Sequence, residues 1–178
     1  KRKRRFTVEF QGINAAQGGA LLWYAKTATK PGFNVNAAEH KYLGHTFYYP
    51  GNVTWEQVTV TLVDPVDPDV TATFADIMVA SGYTPPTDAN SLGTVSKAKA
   101  TGALGTVLIT QLDGDGNPVE SWTLWNAFMT SLKQDDLDYT SDELSTTTVE
   151  LRFDWARVET LNNSSAVNGS GGNEFFKA

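Results

Sequence analysis

The stretch TTVELRFDW, Thr147 to Trp155, places Thr147, Val149, Leu151, Phe153 and Trp155 on one face and Thr148, Glu150, Arg152 and Asp154 on the other. Strict period-two alternation of this kind marks a half-buried β-strand. The stretch closes a longer segment, PVESWTLWNAFMTSLKQDDLDYTSDELSTTTVELRFDWA, from Pro118 to Ala156. That segment carries three of the five tryptophans and an acidic run, Asp135-Asp136-Leu137-Asp138. Its strongest signal is packing, and no catalytic spacing accompanies it.

Working outward, the same period recurs. Arg5 to Gln11 alternates Phe6, Val8 and Phe10 with Thr7 and Glu9. Leu21 to Thr29 is apolar and then β-tolerant, and Pro31-Gly32 marks a turn. Trp55 to Val63 alternates Val58, Val60 and Leu62 with Thr59 and Thr61. Thr106 to Leu112 and Val119 to Leu124 flank the turn Asp113 to Pro118 and pair as a hairpin. Trp125 to Lys133 fits either a strand or a short helix. The final strand is expected to run to about Val158.

One helix interrupts the strands. Asp67 is placed to cap it with Pro68 at its first position. Val70, Phe74, Ile77 and Met78 then make one apolar face, and Gly82 supplies the left-handed stop after about Ser81. Residues 84–105 read as a long loop rich in Pro, Ser, Thr, Gly and Ala. The spacing therefore predicts a mainly β fold with one α-helix lying on a sheet. Residues 1–5 read as a basic arm, 6–158 as the β domain and 159–178 as a Ser/Gly/Asn-rich tail expected to be disordered.

The chain has 178 residues, 14 basic and 20 acidic, for a net charge of −6. Five of the basic residues are the first five, so the rest of the chain balances nine bases against 20 acids, or −11. A body this acidic repels nucleic-acid phosphates. The basic arm reads as solvated or docked on a partner. It is not followed by an apolar segment, so no secretory signal is expected. No apolar run reaches membrane-spanning length.

Few routes to chemistry remain. There is no cysteine, which excludes disulfides, thiol nucleophiles and thiolate metal sites. His40 and His45 are spaced for neither a helical nor a strand-paired metal site. Asp113-Gly114-Asp115-Gly116-Asn117 opens like a calcium loop, but the twelfth position is Leu124, so a hairpin turn accounts for it. Asp135 to Asp138 reads as a solvated loop or as a surface that meets a basic partner. Asn52, Asn162, Asn163 and Asn168 match glycosylation acceptors by sequence alone. Phe33 to Gly51 gathers Asn, His and Tyr and ends in Phe47-Tyr48-Tyr49-Pro50-Gly51, taken as a Pro-Gly turn. Those aromatics suit either a core or an exposed anchor patch.

The order of motifs resembles the tail tube proteins of contractile-tailed bacteriophages, the T4-like tail tube family. The carriers are RFTVEF, then HTFYYPGNVTWEQVTVTLVDP, then the helix, then SWTLWNAFMTSLKQDDLDYTSDELSTTTVELRFDWA. Within them Pro50-Gly51, Trp55, Asp64, Trp122, Leu137-Asp138-Tyr139 and Phe153-Asp154 match the family's landmarks. The resemblance covers about residues 5–158.

The resemblance implies a β-sandwich or barrel of two packed antiparallel sheets with one flanking α-helix, in hexameric rings that stack into a tube, each copy giving strands to a shared, lumen-lining barrel. It implies no enzyme activity and no cofactor. Its implied partners are other copies of the chain and sheath, baseplate, terminator and tape-measure proteins. DNA passes through without specific binding, and no direct membrane insertion is implied. The implied location is the virion tail, assembled in the host cytoplasm, with genome delivery as the role. On this reading Asp135, Asp136, Asp138, Glu150 and Asp154 are candidate lumen-facing acids. His45, Phe47, Tyr48, Tyr49 and Trp55 are candidate contacts between subunits or rings, with the terminal tails. Two alternatives stand beside it: the inner tube of a related contractile injection system, and a β-sandwich carbohydrate-binding module using Tyr48, Tyr49 and Trp55.

Overall fold

The computed structural model describes residues 1–13, 25–67, 69–88, 90, 92–161 and 173–177. In chain order the elements are β1 (Phe6–Phe10), β2 (Ala25–Ala28), β3 (Phe33–Tyr42), β4 (His45–Trp55) and β5 (Val58–Val63). Then come α1 (Val70–Ala80), α2 (Lys97–Leu104), β6 (Val107–Leu112) and β7 (Pro118–Trp125). Last are β8 (Phe128–Gln134), β9 (Thr146–Arg152), β10 (Trp155–Thr160) and β11 (Glu174–Phe175). They form a five-stranded sheet β1-β6-β7-β10-β11, a four-stranded sheet β2-β5-β9-β8 and a separate two-stranded sheet β3-β4.

The alternating faces meet between the two larger sheets. Val8 and Phe10, Val107 and Ile109 face Val58, Val60, Leu62, Val149 and Leu151, all buried. Fully burying each such side chain is worth roughly 1.5–3 kcal/mol. Helix α1 closes the core with Val70, Phe74 and Ile77, and the Phe74 ring meets Phe10 edge-on at 5.6 Å.

The helix begins one turn signal later than expected. Asp69, not Asp67, is the cap, and its carboxylate accepts the Ala72 N–H at 2.9 Å. The Pro68 expectation lies outside the described residues, as do residues 21–24 of the second strand. Gly82, at φ 99°, ends the helix as expected.

The loop expected over residues 84–105 contains α2. Only Ala100 and Leu104 of that helix are buried, so it carries almost no apolar stripe for the sequence to show. Its end is a close backbone approach. Gly12 N–H donates to the Leu104 carbonyl at 3.1 Å, and Gly105 at φ 71° follows. A Cβ on Gly12 would lie 2.4 Å from the Ala103 carbonyl oxygen.

Pro50-Gly51 is not a turn. Both residues lie within β4, and a register shift between Val35 and Ala37 takes up the irregularity. The turn is Leu43-Gly44, both at positive φ (48° and 77°), which is the two-residue hairpin geometry whose twist matches the strands. Trp55 ends β4, and the following strand begins at Val58. Trp125 to Lys133 resolves largely into strand β8.

The decisive stretch is two strands in two sheets. Buried positions run Thr147, Val149, Leu151 and Phe153, then shift phase to Ala156 and Val158. The chain leaves the four-stranded sheet after Arg152 and enters the five-stranded sheet at Trp155. The same crossing occurs beside it between β7 and β8, where Asn126 takes φ 52°. Asp154 N–H donates to the Trp125 carbonyl at 3.1 Å, and the Trp125 and Trp155 rings stack at 6.1 Å. Strands that bend from one sheet into the other make the corners of such sandwiches. Trp155 is therefore half-buried rather than core.

Both termini are tied down. Lys1 pairs with Glu120, Arg2 accepts from Gln111 through its carbonyl, and Arg5 Nη1 donates to the Asp113 carbonyl at 2.8 Å. The arm thus docks on its own domain. At the other end β11 pairs with β10, so part of the expected disordered tail is strand; residues 162–172 lie outside the described residues.

Candidate functional site

Every strand of the four-stranded sheet runs antiparallel to its neighbour. Its two edges, β2 and β8, have no outer partner strand among the described residues. Its core face holds Val58, Val60, Val149 and Leu151. By alternation its open face presents Thr59 opposite Glu150 and Thr61 opposite Thr148, with the Thr61 and Thr148 hydroxyls 3.4 Å apart. Gln57 donates to the Thr130 hydroxyl at 2.6 Å and to Glu150 at 3.3 Å. Lys133 stands opposite Thr148. The face is threonine-rich and polar.

The five candidate acids do not share one surface. Glu150 lies on this open face. Asp135 sits where β8 ends, and its Oδ2 accepts the Thr146 N–H at 3.0 Å and the Thr146 hydroxyl. Asp136 and Asp138 follow in the exposed loop. Asp138 accepts from the Thr140 N–H and hydroxyl, which hold its carboxyl below the usual value. Asp154 is at the corner between sheets, where Lys97 and Asn126 donate to it.

The aromatic stretch is a free-standing hairpin whose strands are exposed along nearly their whole length. The 10 residues of β3 span about 33 Å at the strand rise. Beyond the bulge, Ala38 pairs Tyr49, His40 pairs Phe47 and Tyr42 pairs His45, so these side chains share one face. The His45 and Phe47 rings are 4.8 Å apart. Tyr48, opposite Glu39, is on the other face. Trp55 is at the base, packed on Phe33 at 5.4 Å, Phe153 at 5.9 Å and Phe176 at 5.4 Å. Tyr48, Tyr49 and Trp55 therefore form no single stacking platform of the kind the carbohydrate-binding alternative calls for. His40 and His45 are not opposite one another in register.

One feature has no motif in the sequence. A cavity of about 570 Å³ opens between β2 and the β1-β6-β7 side of the larger sheet, floored by Phe6, Ile109 and Trp122. Lys1, Lys3, Lys26 and Lys30 line it. Glu120, buried beneath, accepts from Lys1, from Lys30 at 2.6 Å and from Trp122 Nε1 at 2.6 Å. Burial pushes its carboxyl up, but the bonds from Lys1, Lys30 and Trp122 outweigh that and hold it at about 2. These lysines are scattered over 30 positions of sequence, and only the docking of the arm beside β2 brings them together.

At the hairpin turn, Asp113 accepts the Asn117 and Asp115 N–H groups at 2.8 Å each, which lowers its pKa. Among the described residues no group of three or more His, Asp or Glu side chains is arranged to hold a metal. No helix there is long and apolar enough to cross a membrane.

A family model described as T4-like virus tail tube protein gp19 matches residues 3–156. No curated protein matches significantly. Among solved structures, a chain of the anti-feeding prophage (AFP) baseplate, six-fold symmetrised, superposes with a TM-score of 0.65. It is 17% identical and covers 90% of this chain and 96% of that one. A chain of the AFP tube terminating cap gives 0.62 at 23% identity, covering 89% and 90%. A chain of the sheath/tube terminator of an extracellular contractile injection system, PVC, gives 0.63 at 17%, covering 90% and 96%. At these identities the likeness is one of fold.

Proposed function

The chain belongs to the T4-like virus tail tube protein family, and from that membership we propose how it builds its tube. It is a structural tube component of contractile, phage-like systems and not an enzyme. Copies associate into hexameric rings by placing β8 of one copy along β2 of the next, extending the four-stranded sheet around the ring. The carrying observation is that the two edges of that sheet have no partner strand among the described residues and run in opposite directions. Closure removes both edges, and a barrel of so many strands leaves an open channel.

On this reading the threonine-rich face lines the lumen, with Glu150 as its acid. The face is mostly hydroxyls, with Lys133 and Arg152 as separate cations beside Glu150, so it offers a passing phosphate chain isolated contacts rather than a continuous basic track. Rings stack through the hairpin, whose face of Tyr42, His45, Phe47 and Tyr49 lies exposed and offers large, amphipathic contact area. A ring-to-ring contact that does not close generates a filament. Sheath, baseplate, terminator and tape-measure proteins are the proposed partners, the virion tail the location, and genome delivery the role.

A second reading, the inner tube of an injection system that delivers proteins, is favoured by the AFP and PVC likeness. Neighbouring genes for a capsid and portal, or their absence, separate the two. The tube itself is tested by negative-stain electron microscopy of the purified chain. Rings or tubes are expected; a monodisperse monomer at every concentration and salt overturns the reading.

A further inference from the structure

The lysine cavity lies on the side of β2 that the ring reading leaves for a neighbour. Four lysines line it against one carboxylate, Glu120, an excess of three positive charges on an acidic chain. Lys3 and Lys26 make no ion pair among the described residues. The floor beneath them is apolar. The cavity thus fits a segment that alternates carboxylates with apolar side chains.

The loop after β8 has that make-up. Asp136 has no partner among the described residues, and Leu137 and Tyr139 stand fully exposed beside it. Its position follows from strand direction. Because β2, β5, β9 and β8 alternate in direction, β8 runs opposite to β2. A copy rotated about a ring axis keeps its strand directions, so its β8 lies antiparallel to this copy's β2. The end of β8 at Gln134 then falls at the start of β2, beside Ala25 and Lys26.

We propose that the Asp135–Tyr139 loop of one copy fills the lysine cavity of the next, with Leu137 over the apolar floor and Asp136 against Lys26. This contact rests on the ring reading and specifies its lateral joint: edge strands supply backbone pairing, and the loop supplies charge and apolar cover. Charge pairing of this kind selects partner and register. It assigns the basic arm a role in presenting Lys1 and Lys3, and it assigns Asp136 to a joint rather than to the lumen.

Because the chain has no cysteine, the joint can be tested by cross-linking. A Lys26→Cys/Asp136→Cys variant, oxidised mildly, is expected to give a ladder of covalent oligomers on denaturing gels, which neither single variant gives. Lys3→Glu/Lys26→Glu is expected to unfold at the wild-type temperature and to lose ring assembly at least about tenfold, since like charges across an interface are strongly disfavoured. Adding Asp136→Lys is expected to restore rings. If the wild type forms rings while the double cysteine variant gives no ladder and the charge reversal assembles normally, this joint is overturned and the ring reading stands. A wild type that never assembles overturns both.

Discussion

The Asp154 carboxylate accepts a hydrogen bond from the Asn126 amide at 2.9 Å, and each residue sits where a strand leaves one sheet for the other. Lys97 of α2 donates to both Asp154 oxygens at 2.8 and 2.7 Å. Hydrogen bonds from Lys97 and then Asn126 outweigh desolvation and lower the Asp154 pKa. Asp154→Ala is expected to cost about 1–2 kcal/mol, read as a lower urea midpoint. Combined with Lys97→Ala the losses should fall short of their sum, because the two share one bond.

Thr147 is fully buried, and its hydroxyl has no partner among the described residues. Thr147→Val replaces that hydroxyl with a methyl of similar size. It is expected to raise stability by about 1 kcal/mol in thermal unfolding. A lower melting temperature would mean that the hydroxyl is satisfied in solution.

Glu120 couples stability to acid. Its folded pKa is about 2 against an ordinary 4.5. A depressed carboxyl pKa stabilises above the unfolded value and loses that contribution as pH falls through the folded one. The loss is therefore expected between pH 4.5 and about 2. Glu120→Gln should cost about 2–3 kcal/mol near neutrality and flatten the stability curve in that window. An unchanged acid slope would place the lysine contacts elsewhere.

Gly12→Ala drives a methyl against the Ala103 and Leu104 backbone, which cannot step aside as a flexible side chain can. The expected cost is at least about 2–3 kcal/mol, with α2 losing hydrogen-exchange protection before the sheets. A substitution at Gly102, where a Cβ meets nothing within 4 Å, is the control.

Removing Ala37 to Gly44 takes away the outer half of β3 and the turn while leaving the Phe33-Trp55 base. Folded subunits or single rings are expected, without long tubes. Tubes of unaltered length by electron microscopy would remove the hairpin from the ring-to-ring contact.

Much of the sheet architecture was legible because Val58-Val60-Leu62 and Val149-Leu151 alternate without interruption. Trp155 misled for the same reason. Alternation reports a face but not which sheet owns it, and a one-residue phase slip at Asp154 is invisible in a pattern that stays apolar. Helix α2 leaves no apolar stripe in the sequence because Ala100 and Leu104 are its only buried side chains. The hairpin's exposure was not decidable from Phe47, Tyr48 and Tyr49, since aromatics serve cores and contacts alike. The lysine cavity left no local trace: Lys1 and Lys30 converge on Glu120 only through the fold.

The paired crossings at Asn126 and Asp154 have a mechanical consequence. Sliding one layer over the other near that corner would pull on two covalent backbones side by side, not merely on apolar contact. A shear load on the four-stranded sheet is thereby shared with the five-stranded sheet through peptide bonds, so the two layers move as one plate there. Between Val8, Phe10, Val60 and Val149, where packed side chains join the sheets, the same load finds a softer seam.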